Sequence, residues 1–323
     1  MQLRTKTVHG KKYYYFDLSY RVLSKLKTFS KYIGAKKPSE NGLKKTGQSF
    51  KSEIISRLSG KDYSNELISG DDLIKALLFR DAFGKKFHSL SGVQRRKYEV
   101  DSTILFTLTT LTTEDVDVSL DDVRNAFEKD RQFSMREQIS KNMLKAVESI
   151  KEKRVLDKQY LLGLHKTIMA SFEGKNPGKI RGKQVYLHKQ DSENPLGAEI
   201  AYRPPHYSKI NELLDEFVAW YNSTKLNPVE KAAQAHYKLY KIHPFLDGNK
   251  RISRLMLNKT LLDESFPLLN ISAKKEHYFQ TLIDSVEKDT PKKLTEFTLN
   301  EFLRQTKEFL KNRSGLSSGR LRK

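Results

Sequence analysis

The strongest constraint on the fold lies where NPVEKAAQAHYKLYKI runs into HPFLDGNKRISRLM, residues 227–256. In the first segment Asn227, Pro228 and Glu230 read as an N-cap, an N1 proline and a capping-box acid. Ala232, Ala235, Leu239 and Ile242 then recur at helical spacing. Proline disfavours helical geometry in the residue before it, so this helix has to stop near Ile242 and leave His243 in a loop. Asp-Gly-Asn turns the chain, and a second helix follows with Ile252, Leu255 and Leu262 on its buried side.

The charge on that second helix is at the wrong end. Lys250, Arg251 and Arg254 crowd its start, where the helix dipole already places partial positive charge. A glycine-containing turn into a helix N-terminus is also a ready anion site, because several backbone N–H groups point outward unpaired. A polyphosphate bound there reverses the cost of the three cations. Asp247 can hold a Mg²⁺ that bridges phosphate oxygens. His243, at the rim, can act as general base toward an incoming hydroxyl. Base, metal and phosphate cradle together describe phosphoryl or nucleotidyl transfer. The spacing is not that of a P-loop, and no His-Glu-x-x-His zinc motif is present. The plainer alternative is a charged interhelical turn with a capping Asp247 and a solvated His243.

Around this motif most of the chain reads as helix. Ser119 with Asp122 forms a capping-box pair, and Ile139, Met143, Val147 and Ile150 share one face. Leu161, Leu164, Ile168 and Phe172 repeat that spacing, as do Ile210, Leu213, Leu214, Phe217 and Tyr221. The expected organisation is a basic β-rich extension over 1–45, helices over 50–150, a core over 151–310 and a flexible basic tail over 311–323. The polar stretch GAKKPSENGLKKTGQS reads as a linker or exposed loop between the first two. One insert, GKQVYLHKQDSENPLGAEIAYRPP, carries two β-like runs and reads as a hairpin that has to lie against something or bind something.

Charge adds a second feature. The chain of 323 residues has a net charge of +21, and residues 1–62 hold fifteen lysines and arginines against four acids, a net +11. Tyrosines are interleaved with these cations in QLRTKTVHGKKYYYFDLSYRV, which suits nucleic-acid contact and equally suits a hairpin packed on the main body. There is no cysteine, which removes disulfides, thiolate zinc sites and cysteine nucleophiles. No run approaches the roughly 18 apolar residues of a membrane span. The expected location is cytoplasmic, with no membrane partner.

HPFLDGNKRISR, His243–Arg254, resembles the Fic-family signature His-x-Phe-x-Asp/Glu-Gly-Asn-x-Arg-x-x-Arg. The resemblance extends over roughly 85–305, with the insert in the place of the family's flap. It implies a mainly α fold, a Fic-type helical bundle with a β-hairpin flap, here joined to the small basic N-terminal β-hairpin region. It also implies a protein adenylyltransferase that moves AMP from ATP, with Mg²⁺, to a Ser, Thr or Tyr hydroxyl of a target protein. By position His243 is then the base, Phe245 the loop anchor and Asp247 the metal ligand. Gly248 and Asn249 form the anion hole, and Arg251 and Arg254 grip the phosphates beside Lys250. A homodimer is common in the family.

Upstream, TLTTED, Thr110–Asp115, resembles the family's inhibitory motif, which implies that Glu114 pairs with Arg254 and restrains ATP use. Asp115 stands where the motif has Gly or Asn. Lys250 stands where AMP-transferring members have glycine, and it resembles the Doc branch, whose members transfer phosphate. A Doc-like phosphotransferase is therefore one alternative. A nucleic-acid-binding protein with a degenerate Fic body is the other.

Overall fold

A computed structural model of the chain describes residues 2–128, 132–188, 200–271 and 275–312. Three antiparallel strands, β1 (Gln2–Val8), β2 (Lys11–Val22) and β3 (Lys25–Gly34), open it in the order β1-β2-β3. His9 and Gly10, with φ of 46° and 73°, make the first turn in the left-handed geometry that a two-residue hairpin requires. Side chains alternate faces along each strand. Phe16, Leu18 and Phe29 are therefore buried together, while the opposite face is left toward solvent.

The buried face of the sheet rests on α1 (Glu40–Ser59) and α2 (Gly70–Ser89). Phe16 meets Phe50 edge-on at 6.2 Å, and the Tyr20 hydroxyl donates to Asp71 at 2.8 Å. Burying an aromatic or leucine side chain contributes about 1.5–3 kcal/mol, so these contacts are enough to dock the sheet. The expected linker is shorter than its composition suggests. Ser39 accepts from the Gly42 N–H and starts α1 at Glu40, because Phe50, Ile54 and Ile55 give that polar stretch an apolar stripe to bury.

The rest is helical: α3 (Gly92–Thr112), α4 (Leu120–Glu128), α5 (Met135–Lys151), α6 (Lys158–Met169), α7 (Ile210–Ser223), α8 (Pro228–Ile242), α9 (Asn249–Asp263), α10 (Lys275–Glu287) and α11 (Lys292–Lys311). The fold is mainly α, as expected. Ser119 and Asp122 exchange bonds of 2.8 and 3.1 Å at the start of α4. Ile139, Met143, Val147 and Ile150 all face the core.

At the centre lies α9, buried almost from end to end although half of it is polar. Ile252, Leu255 and Met256 belong to the core built by α3–α8, and Leu257 and Leu261 to the core under the sheet. Leu262 is only half-buried at the edge of the first. In the second half of α9 the buried polar groups Asn258, Lys259 and Thr260 are partnered, as burial in low dielectric demands. Asn258 bonds the backbone of Leu269 at 2.7 and 3.2 Å, Thr260 bonds the Tyr221 hydroxyl at 3.0 Å, and Lys259 bonds Asp263 at 3.0 Å.

Two local expectations change. Glu230 does not close a capping box; it is fully buried and accepts from the N–H groups of Glu66 (2.9 Å) and Ile68 (2.9 Å), clamping the loop before α2. The insert pairs over only two residues of β4 (Leu187–His188) against β5 (Ile200–Tyr202). Its loop, 189–199, lies outside the described residues, as does the tail beyond 312. Leu187 and Tyr202 pack on the cluster around Tyr237, Tyr240 and Tyr278, which gives the hairpin its support. Among the described residues no helix is long and apolar enough to cross a membrane.

Candidate active site

Two consecutive helices and the loop between them build the site. Asn227 caps α8 by accepting from the Glu230 N–H at 3.0 Å, and Pro228 occupies N1. The helix ends on His243, which adopts the left-handed conformation at φ 50° while its N–H still bonds Leu239 at 3.1 Å. A non-glycine residue held there marks a position that the surroundings over-determine. The surroundings include Arg181, which is buried and donates to the carbonyls of His243 (2.8 Å), Lys183 (2.9 Å) and Pro205 (2.6 Å). One guanidinium thereby ties the motif loop to both stems of the β4–β5 insert. Nothing local in the sequence marks Arg181, because its partners are backbone carbonyls, two of them 24 and 62 residues along the chain.

His243 is half-buried rather than solvated. Its Nδ1 lies 3.2 Å from the Tyr240 carbonyl, so Nδ1–H donates there and Nε2 keeps the lone pair. Burial, reinforced by the charges of Arg181 and Lys250, pulls its pKa down to about 4. The ring is neutral at pH 7 and able to accept a proton.

Inside the loop, Phe245 is buried and stacks on His165, with ring centroids 3.6 Å apart. His165 fixes the turn with both nitrogens: Nδ1 accepts from the Gly178 N–H (2.9 Å) and Nε2 donates to the Asp247 carbonyl (3.0 Å). The Asn249 side chain accepts from the Phe245 N–H and donates to the Phe245 carbonyl, at 3.0 and 2.9 Å. The side chain thus braces the loop and is not free for the expected anion-hole role. Gly248 has φ 78°, and a Cβ there would sit 2.8 Å from the Met169 sulfur and 3.3 Å from His165 Nε2. Glycine is demanded twice, by dihedral and by space. Its own N–H is given to Asp247 Oδ1 at 2.6 Å. No side chain caps α9, so the N–H groups of its first turn face the site without an intrahelical acceptor.

The three cations differ sharply in setting. Arg251 is buried, bonds Asp247 Oδ1 at 3.0 Å and lies over Phe172 at 4.6 Å; its Nε and Nη1 have no acceptor among the described residues. Arg254 is also buried. Its Nε donates to the Tyr278 hydroxyl (3.0 Å), itself held by His236 (3.0 Å). Its Nη1 donates to the Thr113 hydroxyl (2.8 Å) and the Thr110 carbonyl (3.3 Å), at the end of α3, while Nη2 has no acceptor among the described residues. A cation at a helix C-terminus is favourable for the dipole, so Arg254 doubles as the cap of α3.

Glu114 follows α3 directly, and its expected partner is corrected. The carboxylate, 8% exposed, lies 3.2 Å from Lys250 Nζ, whereas Arg254 is turned to Tyr278 and the threonines. Lys250 also sits 5.0 Å over the Phe279 ring. The reason is reach: α3 already caps itself with Arg254, and the flexible lysine is the cation left to meet the acid. Asp115 takes φ 58°, a left-handed geometry that Asp, like Asn and Gly, adopts more readily than other residues.

Asp247 accepts from Gly248 and Arg251 through Oδ1, and Lys175 Nζ lies 3.6 Å from Oδ2. The cation charge of Arg251 holds its pKa below the usual range against the opposing effect of burial. Among the described residues no group of three His, Cys, Asp or Glu gathers as a metal cage. The donor set therefore fits a hard cation that takes one carboxylate oxygen and completes its shell with phosphate and water, as Mg²⁺ does.

Comparison with known proteins falls on this same region. The Fic/DOC family model matches residues 155–261. Protein adenylyltransferase fic-1 of Caenorhabditis briggsae is 33% identical over 123 residues, 36% of this chain and 22% of that protein. Protein adenylyltransferase Fic of Drosophila erecta is 38% identical over 110 residues, 33% of this chain and 20% of that one. The chain thus spans about a fifth of the length of the curated relatives it matches. Its fold is that of a crystallised Fic domain containing signaling protein from Bacteroides thetaiotaomicron, with a TM-score of 0.62 at 19% identity over 73% of this chain and 94% of the other. Motif, family match and shared helical fold meet at the α8–α9 loop, within residues 155–261, the segment that is similar to the Fic/DOC family.

Proposed function

We propose that the chain is a protein adenylyltransferase that moves AMP from ATP to a Ser, Thr or Tyr hydroxyl of a target protein, restrained by Glu114. The observation that carries this reading is the set of buried guanidinium nitrogens, on Arg251 and Arg254 at the uncapped start of α9, that have no acceptor among the described residues. A buried unpaired donor costs about 1–3 kcal/mol, more when charged, and phosphate oxygens remove that cost. The names of the curated relatives support the same chemistry.

In this reading the first-turn N–H groups of α9, with Arg251 and Arg254, bind the phosphates. Asp247 Oδ2 would hold Mg²⁺, which supplies charge neutralisation on the phosphate chain. His243 Nε2 takes the proton of the target hydroxyl as its oxygen bonds to the α-phosphorus and pyrophosphate leaves. The short β4–β5 ladder would hold the target segment by strand addition. Lys250 is engaged by Glu114 and Phe279, and this engagement supports AMP transfer over the phosphate transfer of the Doc branch.

ATP labelled on the α- or the γ-phosphate tests this, with Mg²⁺ and a cell lysate, for wild type, the unrestrained Glu114→Gly, and His243→Ala in both backgrounds. Protein label from the α-phosphate, lost in His243→Ala, is expected. Label from the γ-phosphate alone would sink AMP transfer in favour of a phosphotransferase, and no label from either would sink both.

A further inference from the structure

The N-terminal sheet takes no part in the site just described, and its two faces are unlike. Phe16, Leu18 and Phe29 bury one against α1 and α2. The register places Arg4 beside Tyr15, Lys6 beside Tyr13 and Tyr15 beside Tyr32, all on the other face. There Tyr32 is 53% exposed, with Tyr15 and Tyr13 ring centroids at 5.4 and 6.2 Å from it. The Arg4 guanidinium lies 4.7 Å over the Tyr15 ring. Strands β1–β3 hold eight lysines and arginines and one acid, Asp17, which Arg4 neutralises at 2.6 Å.

Lysines alone would be explained as protection of an edge strand against pairing. That purpose does not call for three contiguous tyrosine rings on a solvent face, where aromatic area is unfavourable unless something covers it. A polyanion with flat apolar rings covers both features at once. Aromatic side chains on a sheet, flanked by cations, are how single strands are bound: bases stack, and the backbone follows the charge. A duplex keeps its bases stacked inside and cannot use the rings.

We propose that the outer face of the β1–β2–β3 sheet binds a single-stranded nucleic acid, with bases stacked on Tyr13, Tyr15 and Tyr32 and the backbone held by Arg4, Lys6 and Lys11. This site is separate from the α8–α9 loop and does not depend on the reaction proposed there.

The test is fluorescence anisotropy of the full chain with labelled oligouridylate and oligothymidylate of about a dozen nucleotides. Unlabelled duplex and polyglutamate serve as competitors, and the two labelled strands show which sugar is preferred. Binding that weakens with salt is expected, with roughly tenfold loss in Tyr32→Ala and near-wild-type affinity in Tyr32→Phe. Lys6→Ala with Lys11→Ala should weaken binding and lower the salt slope by about two. Unchanged thermal unfolding of each variant shows that the sheet is intact. No binding at low salt, equal competition by duplex or polyglutamate, or unchanged affinity in Tyr32→Ala would each overturn the proposal.

Discussion

Replacing Glu114 by Gln tests the proposed restraint and which cation that acid holds. The substitution keeps shape and removes one charge, from a carboxylate 8% exposed and 3.2 Å from a lysine whose side chain is 22% exposed. At an effective dielectric of about 20, the Coulomb attraction at this distance is several kcal/mol, an upper bound that desolvation largely offsets. We expect a net loss of about 1–3 kcal/mol in unfolding free energy without nucleotide, because Lys250 and the buried arginines lose their shared counter-charge. Nucleotide affinity should move the opposite way. With Lys250 released to the phosphates, ATP should bind about 10–100-fold tighter, or about 1.4–2.8 kcal/mol. Urea unfolding with and without ATP, together with titration of a fluorescent ATP analogue, reads both signs. The decisive measurement repeats Glu114→Gln in a Lys250→Met background, where the affinity gain should shrink to less than about threefold. A gain that persists there would return the acid's role to Arg254 and refute the reading of the ion pair. Unchanged affinity in the single variant would refute the restraint itself.

Gly248→Ala should cost about 2–4 kcal/mol in urea unfolding, from left-handed strain at φ 78° plus the overlap with the Met169 sulfur. A cost below about 0.5 kcal/mol would show that the turn yields freely. Arg181→Met should destabilise by about 2–4 kcal/mol by stranding three carbonyls, and should lower the transfer rate more than it raises KM, because His243 is positioned and not touched by substrate through it. Burial depresses His165 and His243 to about 4 and His236 to about 3, so below pH 6.5 the unfolded chain binds protons that the folded chain refuses. Their contribution to stability is therefore full above about pH 6.5 and falls as pH drops toward 4, by up to about 1.4 kcal/mol per unit for each histidine. A urea midpoint that stays flat over that window would contradict the burial of these rings.

Much of the site was legible in HPFLDGNKRISR, because its chemistry depends on residues within one turn and its flanking helices. Proline before a turn, glycine at a left-handed position and cations at a helix start each state a local geometry that holds wherever the segment folds. The sheet strands and the stripe Ile139, Met143, Val147, Ile150 were readable for the same reason, since periodicity reports which face is buried. The start of α1 at Glu40 was not, because its polar composition conceals a stripe that helps only once the sheet supplies Phe16 to pack on it. What the tertiary structure alone decided are the long-range pairings. Glu230 serves the loop at 66–68 instead of its own helix, Arg181 joins the motif to the insert, and His165 stacks beneath Phe245. Glu114 meets Lys250 while Arg254 caps α3. Sequence determines which groups carry charge and where the chain turns. Which charge meets which is settled by distances between segments more than a hundred residues apart, set by the packing of α3 against α9.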